Sequence, residues 1–228
     1  MKSIYYITIL VLIGLVKYNP VKSKIVETSH PQGSIISNIT HSVAQNINSL
    51  MIIPGERVGE ITANTNREQL AELFPPNVAT LQDVEVPLSE GMTAIGTKVE
   101  ISKENQFTII WKNEEKSQVE KIVDFGSAWN LPEGIHVNTT WKVLQEKLGE
   151  FQLFGFRWDY GGTLQLEGTP LEEYKDYLII RVAPSLEAIS SNTEALNAVS
   201  GERLIESKNP NLQQLNLKVS EIIVIFKK

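Results

Sequence analysis

Ile61-Thr62-Ala63-Asn64-Thr65, followed by Leu70 and Phe74, is matched 74 residues later by Ile135-His136-Val137-Asn138-Thr139, followed by Leu144 and Leu148. The spacing agrees throughout: four residues from Ile to Thr, five from Thr to Leu, four from Leu to the next large apolar residue. An offset of that length is about one small α+β unit, so the pair predicts a tandem scaffold and not a reaction. The expected fold class is α+β, two tandem repeats of a short helix packed on an antiparallel β-meander.

Each copy has its own punctuation. In the first, Val58 to Thr62 reads as a short strand, and Thr65 reads as a helix cap with Glu68 completing a capping box. Leu70, Leu73 and Phe74 form the stripe expected to be buried, and Pro75-Pro76 stops the helix. In the second, Gly134 to Val137 is the short strand and Thr139 the cap. Trp141, Leu144 and Leu148 are the apolar face, and Gly149 is the stop.

Strands are expected after each helix. In the first copy they are Leu81 to Pro87, Lys98 to Ile101, Phe107 to Trp111 and Val119 to Phe125, with Asn113 to Lys116 as a hairpin loop. In the second they are Phe151 to Trp158, Thr163 to Leu166, Tyr177 to Val182 and Leu215 to Phe226. Tyr177 to Val182 reads as a central strand, because both of its faces are apolar. Pro184 to Asn211 is polar and irregular, with a helix near Thr193 to Val199.

Ahead of the repeats, Lys2 precedes an apolar run from Ile4 to Val16, broken by Thr8 and Gly14. Thirteen helical residues span roughly 20 Å, short of a ~30 Å hydrocarbon core. Residues 1–23 are therefore read as a secretory signal with cleavage near Val21-Lys22-Ser23, a retained N-terminal anchor being the alternative. Residues 24–50 are rich in Ser, Asn, Thr and Gln and read as a polar tether, with a helix read over Ser42 to Leu50. The repeats occupy 51–130 and 131–228.

The chain has no cysteine, so it folds without disulfides and cannot carry a thiol-linked lipid. Loss of a signal bearing three lysines and no acid moves the net charge from −6 to −9. That acidity, with no Lys/Arg cluster, argues against nucleic acid and anionic lipid as partners. The expected location is periplasmic or secreted, with an envelope protein or a glycan as partner and no membrane span after cleavage. His30, His41 and His136 lack metal-ligand spacing, so no metal or cofactor is expected. The acids Glu167, Glu172, Glu173 and Asp176 read as a solvated face. No nucleophile–base pattern appears, and the reading is a non-enzymatic binding or structural module.

The candidate site is Arg157, Trp158, Asp159 and Tyr160, within Gly155-Phe156-Arg157-Trp158-Asp159-Tyr160-Gly161-Gly162. An aromatic platform beside a carboxylate and a guanidinium suits a sugar or a peptide side chain. This makes a carbohydrate-binding or carbohydrate-active protein the alternative function. The same residues also read as a well-built hairpin, with Asp159 bonding turn amides and Gly161 and Gly162 at positive φ. With Trp129 and Gly134-Ile135, the segment resembles an uncharacterised family of exported bacterial proteins carrying Gly-Phe-x-Trp-Asp-Tyr-x-Gly after a short helix. The resemblance covers Met51 to Leu166 and implies no assigned activity; this chain lacks the lipobox cysteine of many such proteins. More loosely, the architecture is similar to tandem helix-plus-sheet modules such as β-lactamase inhibitor protein and small outer-membrane assembly lipoproteins.

Overall fold

The computed structural model describes residues 50–87 and 92–227. The stretches read as a signal and a tether, up to residue 49 and including His30 and His41, lie outside the described residues, as does all but the last residue of the helix read at Ser42 to Leu50. Three two-residue strands, Ile52–Ile53 (β1), Arg57–Val58 (β2) and Ile61–Thr62 (β3), form a small antiparallel sheet. The helix Arg67–Leu73 (α1) follows. Then come Thr80–Pro87 (β4), Thr93–Glu100 (β5), Gln106–Trp111 (β6) and Val119–Val123 (β7), each paired antiparallel with the next. The helix Trp141–Leu148 (α2) opens the second half, followed by Gln152–Phe154 (β8) and Leu178–Ala183 (β9). A polar excursion contains Leu186–Ser191 (α3), Thr193–Ala198 (α4), Leu204–Glu206 (β10) and Pro210–Gln213 (α5). Lys218–Ile225 (β11) closes the chain. The described residues are thus α+β, with antiparallel sheets and five short helices.

The main sheet has the order β4-β5-β6-β7-β11-β9, so strands from both halves of the chain share one ladder. Its seam is β7 against β11, with Ile122 opposite Val224. Alternation sends Phe107, Ile109 and Trp111 of β6 to one face. There they join Ile122, Ile180, Ile222 and Val224 with Leu70 of α1 and Leu144 and Leu148 of α2 in one core. Leu70 and Leu144 are fully buried, and each such leucine contributes about 1.5–3 kcal/mol by leaving water.

Leu73 departs from the stripe and is 36% exposed. On a helix, Phe74 sits about 40° from the line of Leu70 and Leu73 about 60° on the other side. Phe74 takes the inward position, its ring 5.7 Å from that of Phe107.

Both helix caps fall one residue later than the sequence suggests. In α1 the cap is Asn66, which accepts from Gln69 N at 2.9 Å, and Gln69 Oε1 accepts from Asn66 N at 3.0 Å. In α2 the cap is Thr140, whose side chain makes no cap hydrogen bond. The repeated threonines bond backwards instead. Thr65 Oγ1 accepts from Thr62 N at 3.0 Å, and Thr139 Oγ1 accepts from His136 N at 2.9 Å. Both are buried. A hydroxyl in a tight turn reaches the amide three residues behind it before the helix begins, and that position then needs a second polar residue to cap.

Strand readings also change. Val58 to Thr62 is a hairpin with Val58 opposite Ile61, not one strand, and Thr163 to Leu166 makes only isolated bridges. Gly134 to Val137 is not a strand: Pro132–Gly134 is a 3-10 turn, closed by Leu131 N donating to Ile135 O at 2.8 Å. The strand after α2 is confined to β8, and beyond it Phe156 makes only an isolated bridge to Ser200. β9 is the last strand of the six and not a central one. Its apolar faces are still explained, since its outer side is occupied. Val182 N donates to Gly162 O and Leu164 N to Ile180 O, both at 2.9 Å. Leu164 in turn bridges Leu153 of β8, and β8 pairs with β10. Among the described residues no helix is long and apolar enough to cross a membrane.

Candidate functional site

The second face of the main sheet carries Ile110 beside Lys121, Val123 beside Thr108, Ile223 beside Ile179, and Glu221 beside Arg181. Among the described residues, no helix contributes to the groove of about 760 Å³ that lies on this face. Its floor is Ile110, Lys121, Val123, Glu221 and Ile223. One wall is the end of the β4–β5 hairpin, at Val86, Pro87 and Met92. The other is the turn carrying Asp159 and Tyr160.

Behind the first wall Gly96, opposite Ile110, leaves room for the Val86 side chain. A Cβ there would stand 2.8 Å from a Val86 methyl and 3.0 Å from the Ile109 carbonyl oxygen. The second wall is held by Gly162, at φ +77°, where a Cβ would stand 2.1 Å from the Val182 oxygen. Only glycine permits that approach. Gly161 has no positive φ; the second left-handed residue of the turn is Arg157, at φ 68°.

The four candidate residues divide into two pairs. Arg157 points away and donates to Asn197 Oδ1 of α4. Trp158 is half-buried, and its Nε1 donates to the Gly155 carbonyl at 2.6 Å. Its ring lies edge-on between Phe154 and Tyr160, 5.3 Å from each. Trp158 therefore braces the turn. Asp159 and Tyr160 face the groove. Asp159 is exposed and accepts no hydrogen bond among the described residues, so the turn amides are closed by backbone carbonyls instead. Tyr160 is 56% exposed and is the aromatic surface the groove offers.

Opposite this wall the structure places residues that sequence reasoning missed. Arg181 Nη1 donates to Glu221 Oε2 at 3.0 Å, and its Nε donates to Thr163 Oγ1 at 3.2 Å. Lys121 and Asp124 complete the polar lining. The groove therefore sets acids (Asp124, Asp159, Glu221) and bases (Lys121, Arg181) among the aliphatic side chains Ile110, Val123 and Ile223. A signal for two of them was present in the sequence: Arg181 interrupts Leu178 to Ala183, and Glu221 interrupts Val219 to Ile225, both otherwise apolar on the β period. Among the described residues no three His, Cys, Asp or Glu side chains gather as a metal site. His136 Nδ1 lies 2.8 Å from the Val137 carbonyl oxygen.

No family model matches the chain, and no curated protein sequence matches it. A similar solved structure is that of the uncharacterized protein yfeY from Escherichia coli. It is 18% identical, covers 75% of this chain and 97% of that one, and superposes with a TM-score of 0.42.

Proposed function

We propose that this chain is an exported envelope protein, non-enzymatic, that binds its partner in the concave sheet face between Asp159–Tyr160 and Val86–Met92. The observation that carries the reading is the groove itself. It is wide and open, with an exposed tyrosine, aliphatic side chains and charges of both signs on its lining. Such a surface suits a protein segment, which brings apolar, hydrogen-bonding and charged groups together. Export rests on Lys2 and the Ile4 to Val16 run.

The scaffold reading belongs to the same proposal: two copies of one unit meet at the β7–β11 seam. Ala63 O accepts from Val119 N at the start of β7, and Thr139 O accepts from Val219 N near the start of β11. Each matched pentapeptide is thus clipped to the seam strand of its own half. From the seam outward, β7, β6, β5 and β4 correspond to β11, β9, residues 163–164 and β8. The two groove walls are then counterparts, each the tip of its unit's first hairpin.

Capture from envelope extract tests the binding reading. The chain from Lys24 onward should retain a protein that a Tyr160→Ser variant of equal stability loses; equal retention by both would reject the groove. One observation favours the second reading, a glycan ligand: Tyr160 stands exposed beside carboxylates in the same groove. Calorimetric titration with cell-wall saccharides separates the two, since heat that Tyr160→Ser removes would move the assignment from protein to glycan.

A further inference from the structure

The ladder that starts at β4 ends at β10, and its two ends are finished differently. At the far end the chain covers β8 with a strand of its own: β10 sets Ile205 opposite Leu153, and Ile205 is buried there. At the near end β4 is eight residues long and pairs with β5. Among the described residues nothing pairs with its outer side. A row of free amides and carbonyls of that length is a template for another extended chain.

The side chains of β4 say what that chain carries. Alternation places Leu81, Asp83 and Glu85 on the helix side, and Val84 and Val86 on the groove side. Beside Leu81, a hollow of about 390 Å³ opens between α1 and the start of β4, lined by Ala71, Phe74, Pro76 and Ala79 among others. An aliphatic side chain opposite Leu81 would enter it, as Ile205 opposite Leu153 enters the core at the far end. Asp83 is already paired with Arg67 and Lys116. Glu85 is exposed and has no ion pair among the described residues, so it calls for a basic residue.

A second copy of this chain does not meet these demands. An antiparallel two-fold pair of β4 strands keeps odd positions opposite odd positions. β4 has no lysine or arginine, so no register gives Glu85 a base, and in the registers centred on residues 83, 84 and 85 like charges come directly opposite, which is destabilising.

We propose that β4 is a strand-addition site for an extended segment of a partner polypeptide. The segment carries an aliphatic residue opposite Leu81, a basic residue opposite Glu85 and aliphatic residues opposite Val84 and Val86. The site is distinct from the Asp159–Tyr160 wall, which takes no part in it.

The absence of cysteine makes the test direct. Gln82→Cys, at an exposed position of β4, is offered a capped peptide as an activated disulfide. The peptide reads valine, lysine, valine, threonine, cysteine, isoleucine, threonine, which sets its cysteine opposite position 82. The control is Lys142→Cys, whose parent side chain is 86% exposed on α2, and all rates are taken relative to glutathione. Gln82→Cys should capture the peptide about tenfold faster than the control, because addition raises the local concentration. Adding Glu85→Lys should cut that advantage about fivefold, and adding Tyr160→Ala should leave it unchanged. Equal relative rates at the two positions, an advantage untouched by Glu85→Lys, or one lost with Tyr160→Ala would each overturn the proposal.

Discussion

In the first matched segment Thr65 ties back to Thr62 N at 3.0 Å; in the second Thr139 ties back to His136 N at 2.9 Å. What surrounds these clips is not repeated. The first helix is seven residues long and begins with a reciprocal capping box on Asn66. The second is eight residues long, has no side-chain cap, buries Trp141 at its start and stops at Gly149 with φ 76°. The first half returns from β6 to the seam through a tight polar loop. The second makes the excursion from Pro184 to Leu217, with α3, α4, β10 and α5 on the way. The comparison teaches that the turn and the inward leucine are what the two halves hold in common. Caps, loops and edges differ, and the differences decide which ladder end is covered.

The strongest way to break the comparison is at the leucines. Leu70→Ala and Leu144→Ala should each lower unfolding stability by about 2–5 kcal/mol in urea titrations. A small cost at one site alone would mean that the two helices are not equivalent supports. Next come the clips. Thr65→Val and Thr139→Val each leave a backbone amide without its acceptor, and each should cost about 1–3 kcal/mol. Equal costs in matched melts would sharpen the two-copy reading; a neutral result at one would reduce that clip to coincidence.

The caps should separate the halves. Asn66→Ala removes the capping box and should cost about 1 kcal/mol, whereas Thr140→Ala should be near neutral, because no cap hydrogen bond is lost. Equal costs would contradict the asymmetry described above. A smaller effect is expected at Asp83, which only the first half possesses. Burial raises its pKa, but hydrogen bonds from Lys116 and Thr97 and the charges of Lys116 and Arg67 prevail and hold it below the ordinary value of 3.8. A depressed carboxylate pKa stabilises the fold above the unfolded value, and that contribution disappears as pH falls through the folded one. Asp83 is half-exposed, so Asp83→Asn should cost at most about 1 kcal/mol at pH 7. The difference from the parent should close below about pH 4; a gap that stays constant with pH would assign the effect to packing. The least change is expected at Asp159→Ala, within about 0.5 kcal/mol of the parent, since the carboxylate supports nothing in its turn. A clear drop in Tm would return Asp159 to a structural role.

These effects also show what could be read from the chain. The inward positions of Leu70, Leu144 and Leu148 follow from spacing alone, and so does β6, whose Phe107, Ile109 and Trp111 keep the β period. The caps are displaced after both matched segments for one local reason. Each repeated threonine is followed by a second polar residue, Asn66 or Thr140, and the threonine hydroxyl was already taken by the turn. β9 reads as central because its faces are apolar, yet its neighbour on the outer side is an isolated stretch at Thr163–Leu164 with little strand character of its own. Asp159 and Tyr160 were visible as an unusual pair. Their partners were not, because Lys121 and Glu221 reach one groove only through the pairing of β7 with β11, where Ile122 and Val224 stand 102 positions apart in the chain.

That late pairing sets a schedule for synthesis. β4 to β7 form from neighbouring sequence, so the first meander can close as soon as it emerges. The outer side of β7 is then completed by β11, and Val123 and Lys218 are 95 positions apart. At ribosomal rates that interval lasts roughly 5–20 s. During it, the strand destined for the middle of the sheet stands at its border, with Ile122 and Val123 uncovered. A chain cut short before Lys218 would keep that border for good. Synthesis therefore displays an aggregation-prone border that the finished sheet covers, and a holding chaperone would act in that window.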